Sequence, residues 1–254
     1  MVDVHRLPVR AVDDLTADAV MITFGVPAAL RDAYTYRAGQ HIAVQTTRDG
    51  VVERRSYSIC LAPQEFWPTG ATEGRLAIGV RILPGGRFSA HVRGELRPGD
   101  QLDVLTPTGR FTPRNPTEEG MSYGAVAAGS GITPIMSILG EVLTVTTTAT
   151  VDLLYCNRSS ESTMFGDELA AWQARHPDRL RIRHHRSRAP GPDGSPYGRL
   201  TAAELHNILA EQRNLGVTEW FLCGPEKFSV TARDHLLATG IGRRMVHAEL
   251  FHAG

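Results

Sequence analysis

The sequence predicts a two-domain β + α/β fold, an antiparallel β-barrel followed by a doubly wound parallel sheet. In the first part of the chain, short apolar runs alternate with turn formers, a pattern typical of antiparallel strands. Further on, strand patterns alternate with helical ones, which indicates a parallel sheet. The polar, proline-bearing residues 113–120 between these parts predict a linker. We therefore expect one domain over residues 1–112 and a second over residues 121–254.

The strands of the first domain are short and separated by turn formers such as Ala38-Gly39-Gln40 and Pro98-Gly99-Asp100. In chain order, the predicted strands are Ala19–Val26, His41–Thr46, Arg54–Cys60, Arg75–Arg81 and Gln101–Leu105. Short strands broken by turn signals are the pattern expected of an antiparallel barrel.

The second domain has clear signals for the beginnings and ends of its elements. Thr133 is an expected N-cap, with Pro134 at the first helical position. Thr201 and Glu204 have capping-box spacing, and Gly240 ends the last helix. The predicted elements are strands Tyr123–Ala128, Thr150–Tyr155, Glu219–Cys223 and Met245–Leu250, and helices that begin near Thr133, Thr163, Thr201 and Pro225.

Composition excludes several classes of function. The formal net charge is zero and 42% of the residues are hydrophobic. A neutral chain lacks the basic footprint of a nucleic-acid-binding or membrane-surface protein, and no apolar run is long enough to span a membrane. We therefore expect neither a nucleic-acid partner nor a membrane.

The cysteines and the N-terminus predict a cytoplasmic location. The three cysteines, Cys60, Cys156 and Cys223, are widely separated and form neither a disulfide framework nor a metal-binding pattern, so we expect no metal site. The segment Met1–Arg6 lacks the apolar core of a signal peptide.

Four short motifs carry the candidate chemistry: Arg54–Cys60, Gly85–Ser89, Gly129–Pro134 and Cys223–Pro225. Alone, each has a plainer interpretation: cross-strand packing, a hairpin turn, a strand–helix turn and a small buried side chain. Together they supply an aromatic cover for a flat ring and two glycine loops that can each bind a pyrophosphate on backbone N–H groups. Hydride exchange between a nicotinamide and a flavin needs that combination.

With these motifs the chain resembles the ferredoxin–NADP reductase superfamily. Within it, the chain is similar to the FAD- and NAD(P)-binding part of the reductase components of phenylacetyl-CoA epoxidase and related oxygenases. The resemblance extends from Gly39 to Phe251, and the segments Arg54–Cys60 and Ala127–Pro134 are its most specific parts.

The resemblance implies a role for each motif residue in binding FAD. Arg55 would contact the flavin pyrophosphate, Tyr57 would lie on the isoalloxazine face and Ser58 would lie beside flavin N5. The segment with Val80 and Arg81 would line the polar edge of the ring. The FAD diphosphate would be bound by Gly85, Gly86 and Ser89.

The resemblance likewise assigns residues to the nicotinamide cofactor. Its pyrophosphate would be held by Gly129, Gly131 and Thr133. Cys223, Gly224 and Pro225 would border the nicotinamide, and Glu249 and Phe251 would close the flavin site. The resemblance thus marks Ser58, Cys223 and Glu249 as the catalytic residues. Phe251 departs from the tyrosine that plant-type members carry there.

The residues expected near the adenosine of the nicotinamide cofactor predict NADPH in preference to NADH. Arg158 follows the second strand of the α/β domain, and Ser187-Arg188 resembles the pair that meets the 2′-phosphate in NADP-dependent members. No acidic residue immediately follows Tyr155-Cys156 to bind a ribose hydroxyl. The plainer interpretation is that Arg158 and Arg188 are solvated arginines.

The expected function is electron transfer from NADPH through FAD, singly, to an external iron–sulfur partner. The similar oxygenase reductases carry a 2Fe–2S domain with four cysteines, and the three cysteines of this sequence cannot hold that cluster. We expect a 2Fe–2S ferredoxin-type protein or domain and a terminal oxygenase as partners. The alternatives are a flavin or ferric reductase, a flavohaemoglobin-type reductase module, and a non-catalytic redox-sensing subunit.

Overall fold

The computed structural model describes residues 3–48, 51–190 and 197–251. The chain divides into two compact units. The first comprises Met1–Thr112 with Met136–Glu141, and the second comprises Pro113–Ile135 with Val142–Gly254. The domain limits expected from the sequence stay a prediction. None of the helices in the described ranges is long and apolar enough to cross a membrane.

The first unit is built on a six-stranded antiparallel sheet. Its strands are β1 (Val4–Thr16), β2 (Ala19–Pro27), β3 (His41–Arg48), β4 (Val51–Ser58), β5 (Glu73–Arg81) and β6 (Gln101–Leu105). They lie in the order β4-β3-β6-β1-β2-β5, and a bridge between Ile59 and Ile78 joins the two ends of that order. Because a sheet whose ends meet is a barrel, the predicted fold class of this part is confirmed.

The barrel encloses one apolar core, to which alternate residues of its strands contribute. The side chains of Leu7, Ile22, Phe24, Ile42 and Ile78 are completely buried there. Removing such a side chain from water stabilises the fold by about 1.5–3 kcal/mol. Three short helices accompany the strands: α1 (Arg31–Tyr34), α2 (Pro63–Phe66) and α3 (Arg87–Gly94).

Strand β1 and the three short helices of this unit were absent from the sequence prediction. Strand β1 is interrupted by Pro8 and several charged residues, and only Leu7 and Val9 on it are buried, so its apolar alternation is too brief to recognise. Helix α3 follows Gly86 directly, and two glycines before a short polar helix have the same local signal as a hairpin turn.

The second unit is a five-stranded parallel sheet with connecting helices. The elements of this part of the chain are β7 (Ser122–Ala128), α4 (Ile132–Val145), β8 (Thr150–Asn157), α5 (Gly166–Arg175), β9 (Leu180–Arg186), α6 (Ala202–Asn214), β10 (Glu219–Pro225), α7 (Glu226–Ala238) and β11 (Val246–Phe251). Residues Met136–Glu141 in the middle of α4 are the ones that group with the first unit. The strand order is β11-β10-β7-β8-β9, and all neighbours are parallel. The predicted doubly wound sheet is confirmed.

This strand order creates a switch point. From β7 the chain moves outward through β8 to β9, and it then returns to β10 on the other side of β7. In such sheets, ligands bind outside the carboxyl ends of the two strands at which the order reverses. Two of the four motifs, Gly129–Pro134 and Cys223–Pro225, lie at the ends of those two strands.

Helix beginnings confirm one sequence prediction and correct another. The Thr201 hydroxyl accepts a hydrogen bond from the Glu204 N–H (3.2 Å), and the Glu204 carboxylate accepts one from the Thr201 N–H (2.8 Å), so the capping box is present. The expected N-cap at Thr133 is wrong. The 3-10 turn of Gly129–Gly131 leads directly into α4, which places Thr133 inside the first helical turn.

Residues 113–120 form no helix or strand, and several of their polar groups bond within the second unit. The Arg114 N–H donates to a carboxylate oxygen of Glu219 (3.1 Å), and the Tyr123 hydroxyl donates to the Asn115 carbonyl (3.1 Å). These bonds hold the irregular segment against β7 and β10.

Candidate functional site

In the first unit, the motif on β4 runs from solvent towards the barrel interior. Arg55 is exposed, Tyr57 is half-buried and Ser58, at the end of the strand, is only 3% exposed. Burial raises the pKa of the Tyr57 phenol, although the nearby Arg55 guanidinium opposes that change. The strand therefore presents a cation, a neutral aromatic ring and a hydroxyl in succession.

The structure brings this motif together with the glycine motif that follows it. The rings of Tyr57 and Phe88 lie 5.5 Å apart between centroids at an angle of 38°, so β4 contacts helix α3. Arg87, next to Phe88, forms an ion pair with Glu53 (3.5 Å). The two predicted FAD motifs thus share one region of the first unit.

The start of α3 is suited to bind an anion. Its first hydrogen bond runs from the Ala90 N–H to the Gly86 carbonyl (2.9 Å), which leaves the three preceding N–H groups directed out of the helix end. Gly85 has φ +75°, and apart from its two chain neighbours no atom of the described residues lies within 4 Å of a Cβ built on it. The approach to these amides is therefore open.

Ser89 and Gly86 form the support of this turn. The Ser89 hydroxyl accepts from the Leu83 N–H (3.2 Å) and donates to the Gly86 carbonyl (3.1 Å). A Cβ on Gly86 would lie 2.5 Å from that hydroxyl, so this position requires glycine. A ligand here would meet the backbone N–H of Ser89, because its hydroxyl is already bonded.

Val80 and Arg81, on β5, have their side chains engaged within the barrel. The Val80 side chain is completely buried in the core, and the Arg81 guanidinium pairs with Asp18 (2.9 Å). A flavin ring lying beside this segment would contact its backbone. The predicted role of both residues stays a prediction.

In the second unit, the Gly129–Gly131 turn is held by contacts from elsewhere in the fold. Gly129 has φ +55°, and its carbonyl accepts a hydrogen bond from the Tyr155 hydroxyl (3.2 Å). The Thr133 hydroxyl donates to the Ser130 carbonyl (3.0 Å) and Thr133 is 1% exposed. Thr133 therefore supports the turn, and the backbone N–H groups remain to bind a phosphate.

The second glycine motif packs directly against the first. A Cβ on Gly131 would lie 2.2 Å from the carbonyl oxygen of Cys223, and one on Gly224 would lie 2.9 Å from Cβ of Ala128. Only two residues without side chains allow the ends of β7 and β10 to come this close. The two motifs that the sequence assigned to the nicotinamide cofactor are thus in contact at the switch point.

Cys223 is fully buried and pairs in register with Glu249 on β11. Burial, together with the negative charge of Glu249, raises the pKa of the Cys223 thiol well above its usual value. The thiol therefore stays protonated at neutral pH. Pro225 pairs in the same way with Phe251, so the predicted closing residues lie beside the cysteine motif.

The residues expected at the adenosine end lie at the ends of β8 and β9. The Ser187 N–H donates to the Asn157 carbonyl (2.9 Å), and the Arg188 N–H donates to the Arg158 carbonyl (2.9 Å). These bonds extend the β8–β9 pairing and bring Arg158, Ser187 and Arg188 side by side. Strand β9 itself was not predicted, because Leu180 is its one buried residue.

Tyr155 is a supporting residue that the sequence analysis missed. Besides the Gly129 carbonyl, its buried hydroxyl reaches the Met164 carbonyl (3.3 Å). Nothing in the local pattern marks it, because a tyrosine on a buried strand is ordinary. The signal lies in the fold, which places the end of β8 next to the end of β7.

Comparisons with known proteins agree with this architecture. The family described as oxidoreductase FAD-binding domain matches residues 6–112, and the oxidoreductase NAD-binding domain family matches residues 125–234. One of the subunits of 1,2-phenylacetyl-CoA epoxidase from Escherichia coli (strain K12) is 35% identical over 253 residues, which are 99% of this chain and 69% of that protein.

Two further proteins extend the comparison. The ferredoxin reductase component of 3-ketosteroid-9-alpha-monooxygenase from Rhodococcus rhodochrous is 35% identical over 97% of this chain, which spans 65% of that relative. Among solved structures, a ferredoxin NADP+ reductase from Neisseria gonorrhoeae with bound FAD and NADP has a TM-score of 0.76 at 22% identity, and covers 97% of this chain and 98% of its own. That likeness concerns the fold.

Proposed function

Because this chain belongs to the ferredoxin–NADP reductase superfamily of FAD- and NAD-binding oxidoreductases, we propose that it oxidises NADPH on a bound FAD. It then passes the electrons singly to a 2Fe–2S protein or domain that serves a terminal oxygenase. The observation that carries this proposal is the packing of Gly131 on the backbone of Cys223. This contact joins, at the switch point of the sheet, the two motifs that were assigned to the nicotinamide cofactor.

The residues of the first unit fit FAD. Its diphosphate would take the outward N–H groups at the start of α3, beside the open Gly85, and the exposed guanidinium of Arg55. The half-buried Tyr57, fixed by its contact with Phe88, would cover one face of the ring. The buried Ser58 hydroxyl would lie beside flavin N5.

Bound together, the two cofactors supply the redox chemistry, a hydride passing from nicotinamide C4 to flavin N5. The chain supplies binding and orientation. We propose that Ser58, Cys223 and Glu249 contact the reacting rings. The Cys223 thiol, kept protonated by burial, offers a small uncharged surface at the end of β10.

The proposal that the cofactor is NADPH is supported by the groups at the ends of β8 and β9. Two guanidinium groups and a hydroxyl, from Arg158, Arg188 and Ser187, are arranged on backbone segments that bond to each other. A phosphomonoester is well matched by arginine donors, whereas the free hydroxyl of NADH is commonly bound by a carboxylate. We propose that these three residues bind the 2′-phosphate.

The acceptor is proposed from the relatives. Their names describe part of an epoxidase and the ferredoxin reductase component of a monooxygenase. A plant-type 2Fe–2S cluster takes four cysteines, and this sequence has three. We therefore propose that electrons leave to a separate iron–sulfur centre. Contact with such a carrier is transient, because the carrier departs after each transfer.

Acceptor assays test this proposal. The purified chain, loaded with FAD, is given NADPH and then ferricyanide, free FAD or a 2Fe–2S ferredoxin as acceptor. We expect ferricyanide and ferredoxin to be reduced, and turnover of an added oxygenase to require the ferredoxin. Rapid turnover with free FAD and none with ferredoxin would favour a flavin reductase. Full oxygenase turnover without ferredoxin would disprove the external carrier.

A further inference from the structure

The side chain of Asn157 is buried without a partner. Asn157 is the last residue of β8 and is 8% exposed. Both its Oδ1 and its Nδ2 are buried, and neither is hydrogen-bonded to any residue within the described ranges. A buried carboxamide without hydrogen bonds costs folding free energy, whereas an apolar side chain of the same shape would not. The unsatisfied carboxamide therefore points to a ligand that supplies the missing hydrogen bonds.

A second unpartnered donor lies next to it. Arg186 pairs in register with Asn157 across β8 and β9, and paired residues of a parallel sheet point to the same face. Its Nε is likewise buried and bonded to nothing in the described part of the chain. The pair therefore offers two donor nitrogens and one carbonyl acceptor to a common partner.

Asn157 and Arg186 lie near the glycine turn and near the residues proposed to bind the 2′-phosphate. Tyr155 lies two residues before Asn157 on the same face of the sheet, and its hydroxyl donates to the Gly129 carbonyl. The Asn157 carbonyl accepts from the Ser187 N–H. Asn157 is thus connected on one side to the glycine turn and on the other to the proposed 2′-phosphate residues.

We propose that Asn157 and Arg186 determine specificity for the adenosine 2′-phosphate. Asn157 Nδ2 and Arg186 Nε would donate to phosphate oxygens, and Asn157 Oδ1 would accept from the neighbouring 3′-hydroxyl. Two donors next to one acceptor match a ribose that carries a phosphate beside a hydroxyl. This inference rests on the proposed use of NADPH and adds two residues to the binding site.

Glu161 is an acidic residue that interacts with Arg186, one of the two residues proposed to bind the phosphate. It is exposed, it interacts electrostatically with Arg186, and hydrogen bonds from Ser159 and from its own backbone, together with that guanidinium, lower its pKa. This carboxylate supplies negative charge near Arg186. Since the unpartnered atoms are buried, a nucleotide reaches them only when the side chains that cover them move aside.

Calorimetric titration of the FAD-loaded chain with 2′-phospho-AMP and with AMP tests the proposal. The central variant is Asn157→Leu, a side chain of similar shape without polar atoms. We expect its thermal midpoint to rise, its affinity for 2′-phospho-AMP to fall about tenfold, and its affinity for AMP to fall by a smaller factor, because AMP loses only the bond from its 3′-hydroxyl. An unchanged preference for 2′-phospho-AMP, or equal losses with both ligands, would overturn the proposal.

A second variant keeps the test decisive if Asn157→Leu fails to fold. Glu161→Gln should tighten 2′-phospho-AMP binding about twofold and leave AMP unchanged, because it removes a competing surface charge. Asp167→Asn, at an exposed acidic residue of α5, is the matched control and should change neither. No gain in Glu161→Gln would count against the proposal.

The same titrations separate this inference from the function on which it rests. If the unaltered chain binds 2′-phospho-AMP no better than AMP, the use of NADPH is wrong and this inference is wrong with it. If the unaltered chain discriminates and Asn157→Leu discriminates equally well, only the inference about Asn157 and Arg186 is wrong.

Discussion

A Cβ atom on Gly131 would lie 2.2 Å from the carbonyl oxygen of Cys223. The turn after β7 is therefore pressed against the end of β10, and the two motifs hold each other in place. Neither backbone can move away without disturbing a parallel strand pairing at the centre of the sheet. Glycine at this position is required by the space, in addition to any need for phosphate access.

Gly131→Ala should accordingly destabilise the chain and weaken NADPH binding. Overpacking of this kind costs about 1–3 kcal/mol, and we expect the KM for NADPH to rise about tenfold or more. Steady-state kinetics and thermal unfolding measure both effects. Gly166→Ala is the control, because its Cβ would meet the nearest atom at an ordinary 3.7 Å. Kinetics like those of the unaltered chain in Gly131→Ala would contradict the close packing.

The sequence predicted the fold class and the four motifs, because both follow from local patterns. It did not predict contacts between distant residues. The pairing of Cys223 with Glu249 depends on the register of β10 with β11, and the bond from Tyr155 to Gly129 depends on the register of β7 with β8. Register is set by packing across the whole sheet, which one sequence does not display.

The flavin bound by the purified chain should be FAD. An FMN monophosphate would leave the open amides at the start of α3, beside Gly85, largely unused. Chromatography of the flavin released by denaturation identifies it. Recovery of FMN, or of no flavin after reconstitution with FAD, would show that this anion site has another use.

Single substitutions on β4 should separate the ring contact from the phosphate contact. Arg55→Ala should weaken FAD binding by about 1.5–3 kcal/mol, the value of a hydrogen bond to a charged group. Tyr57→Ala should weaken it through lost stacking, whereas Tyr57→Phe keeps the ring and should bind normally. Fluorescence titration of the apoprotein with FAD measures these changes. Normal FAD affinity in Tyr57→Ala would refute the stacking role.

Arg188→Ala should affect NADPH and spare NADH. Loss of a charge-assisted bond to the 2′-phosphate should raise the KM for NADPH about tenfold, while the KM for NADH stays nearly constant. The ratio of kcat/KM for the two cofactors is the measurement. Arg175→Ala, at an exposed arginine of α5, is the control. Equal losses with both cofactors would show that Arg188 does not contact the 2′-phosphate.

Stability should fall in alkaline solution, and Cys156 should account for part of that fall. Burial raises the pKa of the Cys156 thiol from 9.0 to about 12. Between these values the thiolate forms in the unfolded chain only, so the unfolded chain binds fewer protons and the free energy of unfolding decreases as pH rises.

Each such thiol lowers the free energy of unfolding by about 1.4 kcal/mol for each pH unit above about pH 9. Denaturant unfolding at about pH 8 and about pH 10 should therefore show a smaller decrease in Cys156→Ala than in the unaltered chain. The pKa of the Cys223 thiol is also raised, so the free energy of unfolding of Cys156→Ala should still decrease as pH rises. Identical decreases in both proteins would mean that the Cys156 thiol ionises as readily in the folded chain.

Cys223→Ala tests whether the end of β10 acts on the nicotinamide half of the cofactor. If Cys223 contacts the nicotinamide ring, the variant should reduce flavin about tenfold more slowly with NADPH, a change of about 1.4 kcal/mol in the activation barrier. Its affinity for 2′-phospho-AMP should stay the same, because that ligand lacks the nicotinamide. Stopped-flow absorbance and calorimetry give the two values, and Cys156→Ala, which removes a thiol from β8, should change neither. If Cys223→Ala reduces flavin as fast as the unaltered chain does, Cys223 is not a catalytic residue. Its role would then be to pack beside Gly131.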